Sequence, residues 1–287
     1  MKLQTPVEIE KLGIGISYED SIAVLGSCFA DNIGEKMREA GFDVCVNPFG
    51  TLYNPLSLSN AIARLSSGVP FTEDECVEMG ANAGKICSFS HHTSFARDTQ
   101  EEFLQNANAS LSDASAFWKR CSKVIITLGT AWCFRFNETG ETVSNCLKRP
   151  AGEFTRYRLG EESVVGILSR MVKRNPDKKF IFTVSPVRHL SDGAHGNQIS
   201  KSTLLLAVDA LCREFSSNCE YFPAYEIVMD ELRDYRFYAE DMVHPSAQTV
   251  GYIWERFLSA ALPADERVTF DAKMKLLKAS KHRNNLL

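Results

Sequence analysis

Two short stretches carry side chains whose types and spacing suit acyl chemistry. Asp241 and His244 stand three positions apart in Asp241-Met242-Val243-His244-Pro245. In a turn, that spacing faces both side chains the same way. The carboxylate then fixes the imidazole tautomer and leaves the second ring nitrogen to take a proton. A hydroxyl for that base to activate is Ser27, in Gly26-Ser27-Cys28-Phe29-Ala30. A serine is a poor nucleophile until a neighbouring base takes its proton, and a histidine of pKa about 6.5 suits neutral pH. Ser27, His244 and Asp241 thus form a candidate nucleophile–base–acid set. Each part also has a plainer reading. A serine at a helix start caps free N–H groups, and the Asp-x-x-His stretch suits a surface turn before a helix capped by Ser246.

The elements around these residues decide between the readings. Ile22-Ala23-Val24-Leu25 is a short apolar run suited to one buried strand. After Gly26 the period changes: Phe29, Ile33, Met37 and Ala40 recur at helical spacing, with Gly41 as the stop. Ser27 therefore sits where a strand turns into a helix, against unpaired N–H groups and the positive end of the helix dipole. Further strands are expected at 42–46, 85–90, 124–128, 180–184 and around Tyr221-Phe222. Helices are expected through Leu58, Ile62 and Leu65, and over 99–121, 166–174, 198–215 and 246–262. A hairpin is expected to be inserted near Trp132 to Asn145, and the basic tail after Asp265 reads as a docked or frayed helix.

Strands alternating with helices predict an α/β fold with a mainly parallel central sheet and helices on both faces. Right-handed crossovers place every strand's carboxyl end on one edge, where sites form in such folds. Ser27, Gly50, Gly129 and Ser185 each follow a predicted strand, so their loops should share that edge. The expected organisation is one domain over residues 1–262, followed by a tail over 263–287.

Composition narrows the function classes. The chain has 287 residues, 44% of them hydrophobic, ample for a substantial core. A formal net charge of −4 argues against nucleic acid or an acidic membrane as the main partner. No apolar run reaches bilayer-spanning length, and Met1 to Glu8 lacks the apolar core of a signal peptide. The nine cysteines are scattered with no Cys-x-x-Cys pair, which reads as reduced core thiols and a cytoplasmic protein. Gly13-Ile14-Gly15 lacks the third glycine of a dinucleotide motif and reads as a turn. A metal site from His91, His92, His189 and His195 is poorly motivated, since adjacent residues on an extended segment point to opposite faces. No cofactor is implied.

The pentapeptide Gly26-Ser27-Cys28-Phe29-Ala30 is the signature of the GSCFA family, which resembles the SGNH (GDSL-like) hydrolases. The likeness continues through Asn47-Pro48-Phe49-Gly50-Thr51-Leu52-Tyr53-Asn54-Pro55, His91-His92-Thr93-Ser94-Phe95 and Ser185-Pro186-Val187-Arg188. Farther on it includes Pro223-Ala224-Tyr225-Glu226, Asp234-Tyr235-Arg236-Phe237-Tyr238 and the Asp241 to Pro245 stretch. It covers roughly Ile22 to Leu258. The resemblance implies an SGNH-hydrolase-like, flavodoxin-like three-layer sandwich. It also implies a serine-dependent acyl-ester hydrolase or acyltransferase, acting on a carbohydrate or small-molecule ester, with Ser27 as nucleophile, His244 as base and Asp241 orienting it.

Two departures stand out. SGNH enzymes read Gly-Asp-Ser in their first block, and here no aspartate separates Gly26 from Ser27. Where the larger superfamily has Gly-x-Asn-Asp, with an asparagine that helps bind the oxyanion, this chain reads Gly129-Thr130-Ala131-Trp132. The candidate oxyanion donors are the Ser27 and Gly50 N–H groups, with Asn54 as replacement for the missing asparagine and Thr130 and His92 as weaker substitutes. Arg188 completes the substrate-binding candidates. Two rival readings remain. One makes Cys28 the nucleophile, although Cys28 is expected to point along the helix into the core. The other is a non-catalytic module that binds acylated glycans. The oligomeric state stays open.

Overall fold

The computed structural model describes residues 5–80 and 84–284. Its central sheet has five strands, here β1 (Ser21–Gly26), β2 (Asp43–Val46), β3 (Lys123–Leu128), β4 (Lys179–Val184) and β5 (Cys219–Tyr221). They lie in the order β5-β4-β3-β1-β2 and every neighbouring pair is parallel. The helices are α1 (Cys28–Glu39), α2 (Pro55–Ser67), α3 (Gln100–Arg120), α4 (Glu161–Lys173), α5 (Gly193–Glu214), α6 (Ala247–Ala261) and α7 (Ala264–Asn284).

Alternation along the strands splits the core in two. Ala23, Leu25, Val124, Ile126, Phe180 and Phe182 face the layer built by α2, α3, α4 and α5. Ile22, Val24, Ile125 and Ile181 face the other layer, where α1 supplies Phe29, Ile33 and Met37 and α6 supplies Ile253, Phe257 and Leu258. The result is the three-layer α/β sandwich expected from the sequence, with side chains of period 2 on the strands and 3.6 on the helices. Helix α7 adds to the second layer through Phe270, 6.4 Å from Trp254, and Lys273 sits 3.5 Å over the ring of Tyr18.

Two features differ from expectation. The insertion after β3 is a three-stranded antiparallel sheet, in which Trp132–Phe136 pairs with Thr142–Val143 on one side and Phe154–Arg158 on the other. Its third strand buries no side chain fully, so it lacks the apolar alternation that marks a strand in sequence. In the 85–90 stretch, only Ile86–Cys87 forms a strand, pairing with Val77–Glu78.

The parallel register aligns the strand ends. Gly26 pairs with Thr127, and Leu128 with Val184, so the loops after β1, β3 and β4 leave one edge together. The turn out of β1 needs glycine: Gly26 has φ +145°, and a Cβ there would lie 2.2 Å from the Thr127 carbonyl oxygen. Its N–H donates to Asn47 Oδ1 at 2.8 Å, while Asn47 Nδ2 donates to Asp31 Oδ1 at 2.6 Å. Asn47 takes the left-handed φ of +41° that asparagine tolerates, and so clamps β1 to the start of α1.

Candidate active site

At that edge lies a cavity of about 570 Å³, and its lining shows which candidate residues share it. Cys28, the first residue of α1, opens on it. Ser27 does not: it is fully buried, its Oγ accepts from the Phe29 N–H at 3.3 Å, and its role here is the N-cap of α1. The expected hydrogen bond between Ser27 Oγ and His244 is not formed among the described residues. Cys28 does two things: half-buried, it packs against the core on the α1 side as expected, and the turn at Gly26, which directs Ser27 inward, also brings it to the cavity.

The Asp241–His244 pair has the geometry its spacing predicts. His244 Nδ1 lies 2.6 Å from Asp241 Oδ2. Asp241 Oδ1 accepts from the backbone N–H groups of Val243 and His244 at 2.9 and 3.0 Å. The His244 backbone N–H, then the His244 ring and the Val243 N–H, hold the Asp241 carboxyl down at about 2. The aspartate is therefore ionised at neutral pH, and with Nδ1 engaged, His244 presents Nε2. His244 lines the same cavity as Cys28.

The loop after β4 braces this pair. Arg188 donates from its backbone N–H to Val243 O and from Nη1 to Met242 O, both at 3.0 Å. Its guanidinium also lies 5.5 Å over the ring of Tyr238. Arg188 lines the cavity, yet its hydrogen bonds hold the loop that carries His244.

The expected oxyanion donors fare differently. The Ser27 N–H is taken by Thr127 O at 3.2 Å, and the Gly50 N–H by Asn47 O at 2.8 Å. Neither is free to receive an oxyanion. Gly50 is instead needed for its φ of +77° and for close approach: a Cβ would fall 2.3 Å from His92 Cβ. His92 caps a short turn through Ser94 and stands outside the cavity lining. Thr130 lines the cavity, but its Oγ1 bonds Ser200 Oγ at 3.0 Å and accepts from the Trp132 N–H at 3.1 Å. Ala131 is fully buried and its N–H donates to Ser200 Oγ, so that loop offers no substitute for the asparagine.

Asn54 keeps one group available. Its Oδ1 accepts from the Ser57 N–H at 2.8 Å and caps α2, while among the described residues Nδ2 has no acceptor. Asn54 lines the cavity. At the start of α1 the Cys28 N–H precedes the first intrahelical bond, with no backbone acceptor among the described residues.

Sequence reasoning did not assign the rest of the wall to this site, and named His189 only as a poorly motivated metal ligand. Trp132 and Phe134 come from the insertion, with the Arg156 guanidinium 4.2 Å over the Trp132 ring and paired to Asp192. His189 also lines the cavity; among the described residues its buried Nε2 has no partner, and burial, with help from Lys201, pushes its imidazole down to about 4. His91, by contrast, is a core residue packed among phenylalanines. No cluster of three or more His, Cys, Asp or Glu side chains among the described residues is placed to hold a metal. A second, larger cavity of about 780 Å³ lies between α2 and the insertion, sharing Ser144 with the first but lacking Cys28 and His244.

Comparison with known proteins places this architecture: the GSCFA family model matches residues 21–257. The chain belongs to the GSCFA family. No curated protein sequence matches it. Among solved structures, an acetyl xylan esterase (Est2A) from the rumen bacterium Butyrivibrio proteoclasticus aligns with a TM-score of 0.34 and 11% identity. The alignment covers 85% of the GSCFA chain but 59% of the esterase, so the chain spans under two thirds of that protein's length. A likeness that remote leaves activity to be argued from the GSCFA site itself. No described helix of the GSCFA chain is long and apolar enough to cross a membrane.

Proposed function

We propose that the protein is a thiol-dependent acyl-ester hydrolase or acyltransferase, with Cys28 as nucleophile, His244 as base and Asp241 as its orienting acid. The observation that carries this reading is the shared cavity: Cys28 and His244 both line it, while Ser27 is sealed in the helix cap. Burial, chiefly, and Asp31 push the Cys28 thiol up, so it stays protonated at neutral pH and needs a base. His244 Nε2 takes the thiol proton as sulfur attacks the ester carbonyl carbon. The C–S bond forms, the carbonyl π electrons move to oxygen, and the oxyanion meets the Cys28 N–H and Asn54 Nδ2. As the C–O bond breaks, His244 returns the proton to the departing alcohol. Water or a second alcohol, deprotonated by His244, then releases the acyl group from sulfur. The substrate in this reading is a carbohydrate or small-molecule ester.

The test is an acetyl-ester assay with mass spectrometry of the intact protein. Cys28→Ala should abolish turnover and the transient mass gain of an acyl-enzyme, and Ser27→Ala should keep both while lowering stability by about 1 kcal/mol through the lost cap. Loss of the acyl-enzyme in Ser27→Ala with its retention in Cys28→Ala would return the role to serine. A wild-type protein that binds an acylated glycan without ever gaining acyl mass would favour a binding module.

A further inference from the structure

One buried cation near the cavity plays no part in the chemistry above. Lys201, on α5, is completely buried. Its Nζ donates to Gly129 O at 2.7 Å and to Ser185 O at 2.6 Å. Those carbonyls follow β3 and β4, and Gly129 packs against the residue before Cys28: a Cβ on it would lie 3.4 Å from Ser27 Cβ. Both carbonyls are uncharged, and among the described residues Lys201 forms no ion pair with a carboxylate. Tyr225 offers only a ring face, 5.9 Å away. Lysine is almost never fully buried unless paired, because desolvating an ammonium without a counter-charge is costly. The anion that acyl transfer would create close to this spot is the Cys28 thiolate, and the two groups act on each other electrostatically.

We propose that Lys201 is the positioning residue for the Cys28 thiolate. When His244 takes the thiol proton its imidazolium balances the thiolate from the cavity side, and the Lys201 ammonium adds a buried counter-charge that the two carbonyl bonds fix between the ends of β3 and β4. The proposal rests on Cys28 being the nucleophile. The other groups around the thiol do not fill the role. Asp31, from α1, opposes a thiolate, and Tyr53, from the loop before α2, is itself pushed up by burial and by the thiol. Arg156 is spent on Asp192, and Arg188 on the loop of His244. His189 is held neutral, in part by Lys201 itself. Burial lowers the Lys201 ammonium and Cys28 offsets part of that, the two together leaving it at about 7, while Lys201 draws the thiol down. Each charge therefore favours the other.

A purely structural Lys201 would only tie two strand ends, and thiol reactivity separates the two roles. Alkylation of Cys28 by iodoacetamide would be followed on its peptide from about pH 6 to pH 10 in the intact protein, Lys201→Met and Lys201→Arg. At neutral pH, Lys201→Met should react about tenfold more slowly, equivalent to one unit of thiol pKa. The gap should narrow towards the alkaline end, and Lys201→Arg should stay near the wild type. Coincident profiles in a folded Lys201→Met would overturn the proposal. Should that variant not fold, the ¹⁵N resonance of Lys201 Nζ would be titrated in the wild type and in Cys28→Asp, whose carboxylate puts a charge at the thiol position through neutral pH. A higher midpoint in Cys28→Asp supports the pairing, and equal midpoints overturn it. Neither measurement reads ester turnover, so failure of the acyl-transfer reading would show separately, as activity retained by Cys28→Ala.

Discussion

Ser27 and Cys28 are neighbours with opposite fates, and helix geometry is the reason. Ser27 is the cap, with extended backbone (φ −69°, ψ 176°), and Cys28 is the first helical residue, so their side chains leave the turn in different directions. Nothing in Gly26-Ser27-Cys28 states which of them faces the cavity. The left-handed turn at Gly26 and the cap bond to Phe29 decide, and both are visible only in three dimensions. Histidines divide in the same way. His91 lies fully buried against Phe49, Phe71, Phe95 and Phe103, with Nδ1 2.7 Å from Ser88 Oγ, and burial pushes its imidazole down to about 3. An unfolded histidine titrates near 6.5, so as pH falls the unfolded chain takes up this proton first. The stability that neutral His91 contributes is complete above about pH 6.5 and is lost as pH falls towards 3. His189, pushed down to about 4, has the same sign. Urea midpoints should therefore decline through that window. His91→Phe, which keeps the ring contacts without the titration, should show a shallower decline; identical slopes would mean that His91 is not the acid-sensitive group.

At the scale of elements, the loop entering α2 does two jobs with one side chain. Asn54 Oδ1 closes the helix start, leaving Nδ2 for the cavity. Asn54→Ser retains a capping oxygen but loses the amide donor. Turnover should fall by about 10²–10³, the usual cost of one oxyanion donor, with little change in melting temperature. Unchanged kcat in Asn54→Ser would leave the asparagine as a cap alone. The motif around Asn54 was legible because turn formers cluster there, whereas helix starts were read late where composition is poor. Helix α4 begins at Glu161, ahead of its first buried residue Val164, and α5 begins in Gly193-Ala194-His195-Gly196, which has weak helical propensity. The parallel strands were legible from their β-branched runs. The third strand of the insertion was not, because it stands largely in solvent.

For the whole molecule, sheet order was deducible only as a class, from the alternation of strands and helices. The convergence of loops on one edge followed from the connection rules, and the register of Gly26 with Thr127 and of Leu128 with Val184 realises it. Lys201 was not legible at all. Ser200-Lys201-Ser202-Thr203 reads as a solvated helix face, and only the packing of α5 across the ends of β3 and β4 buries it. The order β2-β1-β3 also has a consequence for biosynthesis. When the chain has grown as far as α3, β1 can pair along one side with β2, but its other partner has not yet been made, since Ile22 waits for Lys123. An apolar strand therefore spends much of synthesis with one open edge, the kind of surface that recruits another chain. A fragment ending at Arg120 should associate with itself and sediment as large species, whereas one extended through β4 should sediment far less. Equal monomeric behaviour of the two fragments would show that the edge is covered by other means while the ribosome is still at work.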